Sequence, residues 1–215
     1  MKTAALALAA LLVLPAAGRA QAPPLTREQA LESIKRDDVE ARRQGTARLA
    51  EVGTMADVSL LVQELRDADP LVRALAERVL WRVWSRSGNP DIDALFAAGL
   101  EHMSQGAGLE AIETFSRIIE QKPDFAEGWN KRATVYYLVG EYEKSLRDCD
   151  EVMKRNPAHF GALAGYGQIY LRLGQPEKAL GYFERALGVN PNMEQVELTV
   201  QEIKRFLAEK RRGTI

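Results

Sequence analysis

Residues 92–125 read IDALFAAGLEHMSQGAGLEAIETFSRIIEQKPDF, residues 126–159 read AEGWNKRATVYYLVGEYEKSLRDCDEVMKRNPAH, and residues 160–191 read FGALAGYGQIYLRLGQPEKALGYFERALGVNP. Set one above another, they are the same sentence written three times. Gly99, Ala133 and Gly167 fall 34 residues apart, as do Gly106, Gly140 and Gly174, and Pro123, Pro157 and Pro191. Ala111, Ser145 and Ala179 keep the step, and so do Phe115, Cys149 and Phe183. Each copy carries two stretches of helical periodicity separated by a glycine turn and closed by a proline, which cannot continue a helix. The predicted helices are 91–104 and 109–121, 125–138 and 142–155, then 158–173 and 176–187. The small column lets the two helices of a pair approach closely, and the large column fills the space behind it.

With Trp129, Ala133, Tyr136, Gly140, Ser145 and Pro157 in one copy, the period of 34 resembles the tetratricopeptide repeat, a helix-turn-helix unit that stacks into a superhelix. The resemblance covers residues 89–191, in units of about 92–125, 126–159 and 160–191. It implies an all-α fold, an α-solenoid wound as a right-handed superhelix. It also implies that the first helix of each pair lines a concave groove able to hold an extended or helical peptide. Carried over position by position, the groove lining is Phe96, Leu100 and Met103, then Asn130, Thr134 and Tyr137, then Ala164, Gln168 and Leu171. Chaperone-binding relatives grip a C-terminal carboxylate with lysine, asparagine and arginine; here Phe96, Leu100, Lys131, Ala164 and Gln168 stand at those places, which argues against such a clamp.

Upstream, a second and shorter period appears. Asp38 maps to Asp69, Arg42 to Arg73, Leu49 to Leu80 and Val52 to Val83, a step of 31. Asp37 and Asp38 are expected to open one helix and Asp69 to cap another, with Pro70 in the first turn where its missing amide hydrogen costs nothing. Thr26 with Gln29 reads as a capping box at the start of the first pair. The Asp-x-x-Val-Arg phrase at 69–73 is similar to a HEAT repeat of the short, bacterial, phycobilisome-lyase-like kind, although HEAT periods run to about 40–47 residues. Residues 26–88 are therefore expected to form HEAT-like helix pairs. Trp81 and Trp84, three residues apart on one helical face, are expected to be the hydrophobic joint between the two kinds of repeat. Beyond residue 191 the 34-residue period stops, and Met193, Val196, Val200, Ile203 and Leu207 form one apolar stripe, as a terminal capping helix over 192–215 requires.

The first twenty residues read as an export signal. Lys2 is followed by an almost wholly apolar run from Ala4 to Ala17, too short to span a bilayer, and then by the small residues around Ala20. Cleavage is expected after Ala20, leaving a linker at 21–25 and no stable membrane insertion. A periplasmic location follows, with secretion as the alternative. The full chain has 29 Lys and Arg against 30 Asp and Glu; without Lys2 and Arg19 the balance is 27 − 30 = −3. No basic footprint for nucleic acid is present. Cys149 is the single cysteine, so no internal disulfide forms.

No zinc-ligand spacing, phosphate-cradling loop or nucleophile elbow is present. His102 stands in the column of Tyr136 and Tyr170, and Cys149 in that of Phe115 and Phe183, so both read as packing residues. His159 has no partner at ligand spacing. No cofactor, metal or catalytic residue is expected. What remains is a surface, and the expectation is a non-catalytic adaptor or scaffold that binds a peptide or protein. The alternatives are a self-assembling envelope component that forms homo-oligomers and, more remotely, an enzyme whose paired carboxylates the sequence does not reveal.

Overall fold

Side-chain caps set where the N-terminal helices begin. In the computed structural model, which describes residues 23–213, α1 (Arg27–Ile34) opens on the expected Thr26/Gln29 capping box. Asp38 accepts from Ala41 N to start α2 (Val39–Val52). A short 3-10 turn at Met55–Asp57 leads into α3 (Val58–Glu64). Asp69 accepts from the amides of Leu71 and Val72 to start α4 (Pro70–Trp84). The expected export signal and the first two linker residues lie outside the described residues.

The repeats follow as α5 (Pro90–Ser104) with α6 (Gly108–Gln121), α7 (Ala126–Leu138) with α8 (Tyr142–Arg155), and α9 (Phe160–Arg172) with α10 (Pro176–Val189). The last helix is α11 (Glu194–Arg211). Every regular element among the described residues is helical. α9 begins two residues later than its pattern predicts because His159 is its N-cap, its ring accepting from Ala162 N. The turns inside the pairs need Gly106, Gly140 and Gly174, whose φ values are +72°, +82° and +67°, a region that side chains with a Cβ avoid.

The small and large columns are matched copy by copy. A Cβ on Gly99 would lie 2.6 Å from the Phe115 ring, and one on Gly167 would lie 2.5 Å from the Phe183 ring. In the middle repeat the small position is Ala133 and the facing residue shrinks to Cys149, and both are buried. A second set of columns changes chemistry while keeping its geometry. In the middle repeat Arg132 on α7 donates to Asp148 on α8 twice at 2.8 Å, and to Ser116 on the preceding α6 at 2.9 Å. One repeat later the same three places hold Tyr166, which stacks on Tyr182 at 4.4 Å and donates to Asp150.

The N-terminal pairs repeat their own contacts. Arg42 donates to the carbonyls of Arg36 and Asp37, and Arg73, 31 residues on, donates to those of Asp67 and Ala68. Arg42 also reaches Asp67 in the loop of the next pair at 2.7 Å, and Arg43 reaches Asp69 at 2.6 Å. Arg73 makes the corresponding outward bond, but to Asn192 Oδ1 at 3.1 Å, in the loop that opens α11. Asn192 in turn donates to Leu65 O at 2.8 Å, and Arg66 donates to Val189 O at 3.0 Å.

The polypeptide therefore folds back. α4 begins beside the loop before α11 and ends beside the start of α9, where Trp81 and Trp84 pack on Phe160 at centroid distances of 5.3 and 5.1 Å. The joint uses both tryptophans, but it clasps the third tetratricopeptide-like unit rather than the first unit that follows it in the chain. Phe160, Val189 and Met193 join Leu61, Leu65, Val79 and Leu80 in one apolar cluster.

Candidate peptide groove

The nine groove positions do not make one surface. Phe96 is 5% exposed and packs on Phe115 and Phe125 at 6.0 and 5.4 Å. This corrects its assignment: as the largest apolar side chain of the set, beside Gly99 and facing two other phenylalanines, it is worth more inside the core than in a groove. Met103 packs half-buried against the same cluster, and Leu100 is exposed. Ala164 and Leu171 lie against the cluster built by Val200, Ile203 and Leu207 of α11. Leu171 also borders a shallow cleft closed by Phe206.

Four of the nine come together. Asn130, Thr134 and Tyr137 on α7 and Gln168 on α9 rim a cleft of about 190 Å³ between the two helices. Gly161 and Gly165 form the α9 wall, and Ala133, Cys149 and Ile169 form the apolar floor. Burial pushes the Cys149 thiol up to about 12, so it packs and does not react. Thr134 Oγ1 donates back to Asn130 O at 2.9 Å, and Tyr137 accepts from Arg172 Nε at 3.1 Å. Gln168 is exposed, and its side chain makes no hydrogen bond within the protein.

Behind the rim is a group the sequence did not reveal. Glu127 and His159 are both fully buried, with His159 Nε2 2.6 Å from Glu127 Oε1. Because His159 Nδ1 accepts from Ala162 N at 2.9 Å, the ring proton is on Nε2 and is donated to Glu127. The ring stacks on Trp84 at 4.5 Å, so the imidazole is gripped between α4 and α7. Lys131 Nζ is 3.5 Å from Glu127 Oε2 and stands over the Trp81 ring. Burial alone would raise the Glu127 pKa, but His159, Lys131 and Asn130 outweigh it and hold the carboxyl at about 2. Asn130 Nδ2 donates to both oxygens, at 3.0 and 3.3 Å.

Nothing in the local sequence joins Glu127 to His159, 32 residues apart. The usable signal was the repeat itself, since the first turns of successive first helices lie side by side. Lys131, at a carboxylate-clamp place, is already engaged by Glu127. Among the described residues no three His, Cys, Asp or Glu side chains gather to hold a metal, and no helix is long and apolar enough to cross a membrane.

Residues 124–191 match the tetratricopeptide repeat family. A tetratricopeptide repeat-containing protein of Rhizobium etli is 32% identical over 154 residues, spanning 72% of this chain and 74% of that one. The chain belongs to the tetratricopeptide repeat family. The repeats mediate protein–protein interaction in this family, and the coarse role of this member is the same. Anaphase-promoting complex subunit 3 of Schizosaccharomyces pombe is 30% identical over 83 residues, 39% of this tetratricopeptide repeat protein but 12% of the relative. Among solved structures, the Sgt2 repeat domain of Aspergillus fumigatus superposes with a TM-score of 0.55 at 20% identity, over 59% of this chain and 85% of that one. The first repeat domain of RPAP3, solved with an HSP90 peptide, gives 0.52 at 23%, over 54% and 93%. Both show the fold.

Proposed function

We propose that this tetratricopeptide repeat protein is a non-catalytic adaptor that holds an extended segment of a protein partner in the cleft between α7 and α9. The observation that carries the reading is the rim of that cleft, where Gln168 and the Asn130 carboxamide oxygen have no protein partner above an apolar floor. Such a pairing of unspent hydrogen-bonding groups with apolar surface suits a peptide backbone and one side chain. The buried Glu127–His159 pair, at 0% exposure, is closed to a substrate, which supports a binding role over a catalytic one. The repeated clasps of Arg42 and Arg73 support the HEAT-like reading of 26–88, and the apolar run Ala4–Ala17 supports export to the periplasm.

Gln168→Lys and Thr134→Lys test the groove, because both positions are exposed and neither holds the core. An envelope protein captured by the native chain should be lost from both variants while helix content is unchanged. Equal capture by all three would move binding elsewhere. Cell fractionation with N-terminal sequencing tests export, and an intact Met1 in the cytoplasm would end that part of the reading.

Self-assembly is a second reading with its own observation: Leu198 and Phe206 are 51% and 44% exposed on α11. Val200 and Ile203, on the apolar stripe of the same helix, are buried in the cluster with Phe183. Light scattering of Phe206→Glu separates the readings, since only a self-assembling chain would become smaller.

A further inference from the structure

The hydrogen-bonding polarity of the cleft is fixed from behind. An ionised carboxylate only accepts, so Glu127 can meet Asn130 only through the Nδ2 group, which donates to both of its oxygens. The carboxamide then has one orientation left. Asn130 is 8% exposed and lines the cleft, so with Nδ2 turned to Glu127 its Oδ1, which makes no hydrogen bond within the protein, is the carboxamide atom left for the cleft. His159 and Lys131 hold Glu127 in place from the other side. Thr134 has already spent its proton on Asn130 O, so the α7 wall offers two acceptors in successive turns.

The opposite wall is unusual for the chain. Gly161 and Gly165 occupy the columns that hold Glu127 and Lys131 one repeat earlier. A Cβ on Gly165 would touch only Cys149 Sγ, at 3.8 Å, so the space beside it is real. An apolar hollow of about 150 Å³ accommodates a benzene-sized group. The cleft, at about 190 Å³, therefore has room for one apolar side chain up to the size of a phenyl ring.

We propose, resting on the groove reading above, that Glu127 is a positioning residue that turns Asn130 into an obligate acceptor. The cleft then selects an extended peptide that points a backbone N–H at Asn130 Oδ1 and places one apolar side chain, no larger than a phenyl ring, beside Gly165. Glu127 does not touch the peptide; it decides which way the amide that does touch it is facing.

The test uses the mature chain with blocked synthetic heptapeptides in which each residue type is fixed in turn at the centre. Valine, leucine and phenylalanine should be selected over aspartate and lysine. The best binder is then remade with one backbone nitrogen methylated at a time. One position should lose about tenfold in affinity, the worth of a single hydrogen bond. In Glu127→Gln the neighbour can donate or accept, Asn130 can turn over, and that penalty should fall to about twofold or less with helix content intact. Gly165→Leu should abolish the apolar preference. Independently of any ligand, the Asn130 carboxamide protons in the native chain should be downfield and protected in ¹⁵N-resolved NMR. An unchanged methylation penalty in Glu127→Gln, or freely exchanging carboxamide protons, overturns the positioning role and leaves the groove reading standing. Selection of charged centres overturns the ligand class. Binding by no peptide in the set overturns the ligand class and the groove reading together.

Discussion

At the scale of the residue, the matched columns make the sharpest prediction. Gly99→Ala should cost about 1–3 kcal/mol, because the added methyl meets an aromatic ring on a packed helix. Pairing it with Phe115→Leu should recover part of that loss in a double-mutant cycle read by denaturant unfolding. This much was legible, since Gly–Phe, Ala–Cys and Gly–Phe alternate together along the sequence. Glu64 was not legible. Burial and nearby Asp67, against the pull of Arg42, raise its carboxyl to about 7, and its Oε2 has no hydrogen-bond partner. The folded state then holds a proton that the unfolded state releases near 4.5, so stability falls as pH rises between about 4.5 and 7. Glu64→Gln should flatten that slope and stabilise the protein at pH 8 by about 1–2 kcal/mol, after discounting for solvent screening. Asp69 works in the opposite sense. Arg43 and the amides of Val72 and Leu71 hold it at about 2, so its contribution is present at neutral pH and is lost as pH falls from about 4 towards 2.

At the scale of the element, caps and turns placed the helices to within a residue or two, because Asp38, Asp69 and the turn glycines act locally. Where α4 docks was not readable. The Trp81/Trp84 joint was expected from its composition, but its partner, the His159–Phe160 start of α9, is specified by surfaces that exist only after the repeats have stacked. The same cause hid Glu127 and Phe96, whose burial depends on neighbours distant in sequence. Trp84→Ala should destabilise by about 3–5 kcal/mol, since the indole is 2% exposed within the joint. Arg73→Ala should cost about 1 kcal/mol by breaking the bond to Asn192. Hydrogen exchange should rise first at the loops around Leu65 and Asn192 in that variant, with α5 and α6 unaffected. Uniform loss of protection across all helices would contradict the placement of the clasp.

At the scale of the whole molecule, the fold-back changes how a repeat protein holds together. A solenoid whose units touch only their neighbours can lose its ends one at a time; here the N-terminal pairs brace the third unit and the opening of α11. The same brace supports the proposed binding site from behind, because Trp84 presses on His159, His159 on Glu127, and Glu127 on Asn130 at the cleft. NMR shift mapping on the native chain during titration with the heptapeptide pool locates the peptide site most directly. The perturbed resonances should centre on Thr134, Tyr137, Gly165 and Gln168, and Gln168→Lys should remove them. Perturbations centred on Leu198 and Phe206, or on the N-terminal pairs, would contradict that placement.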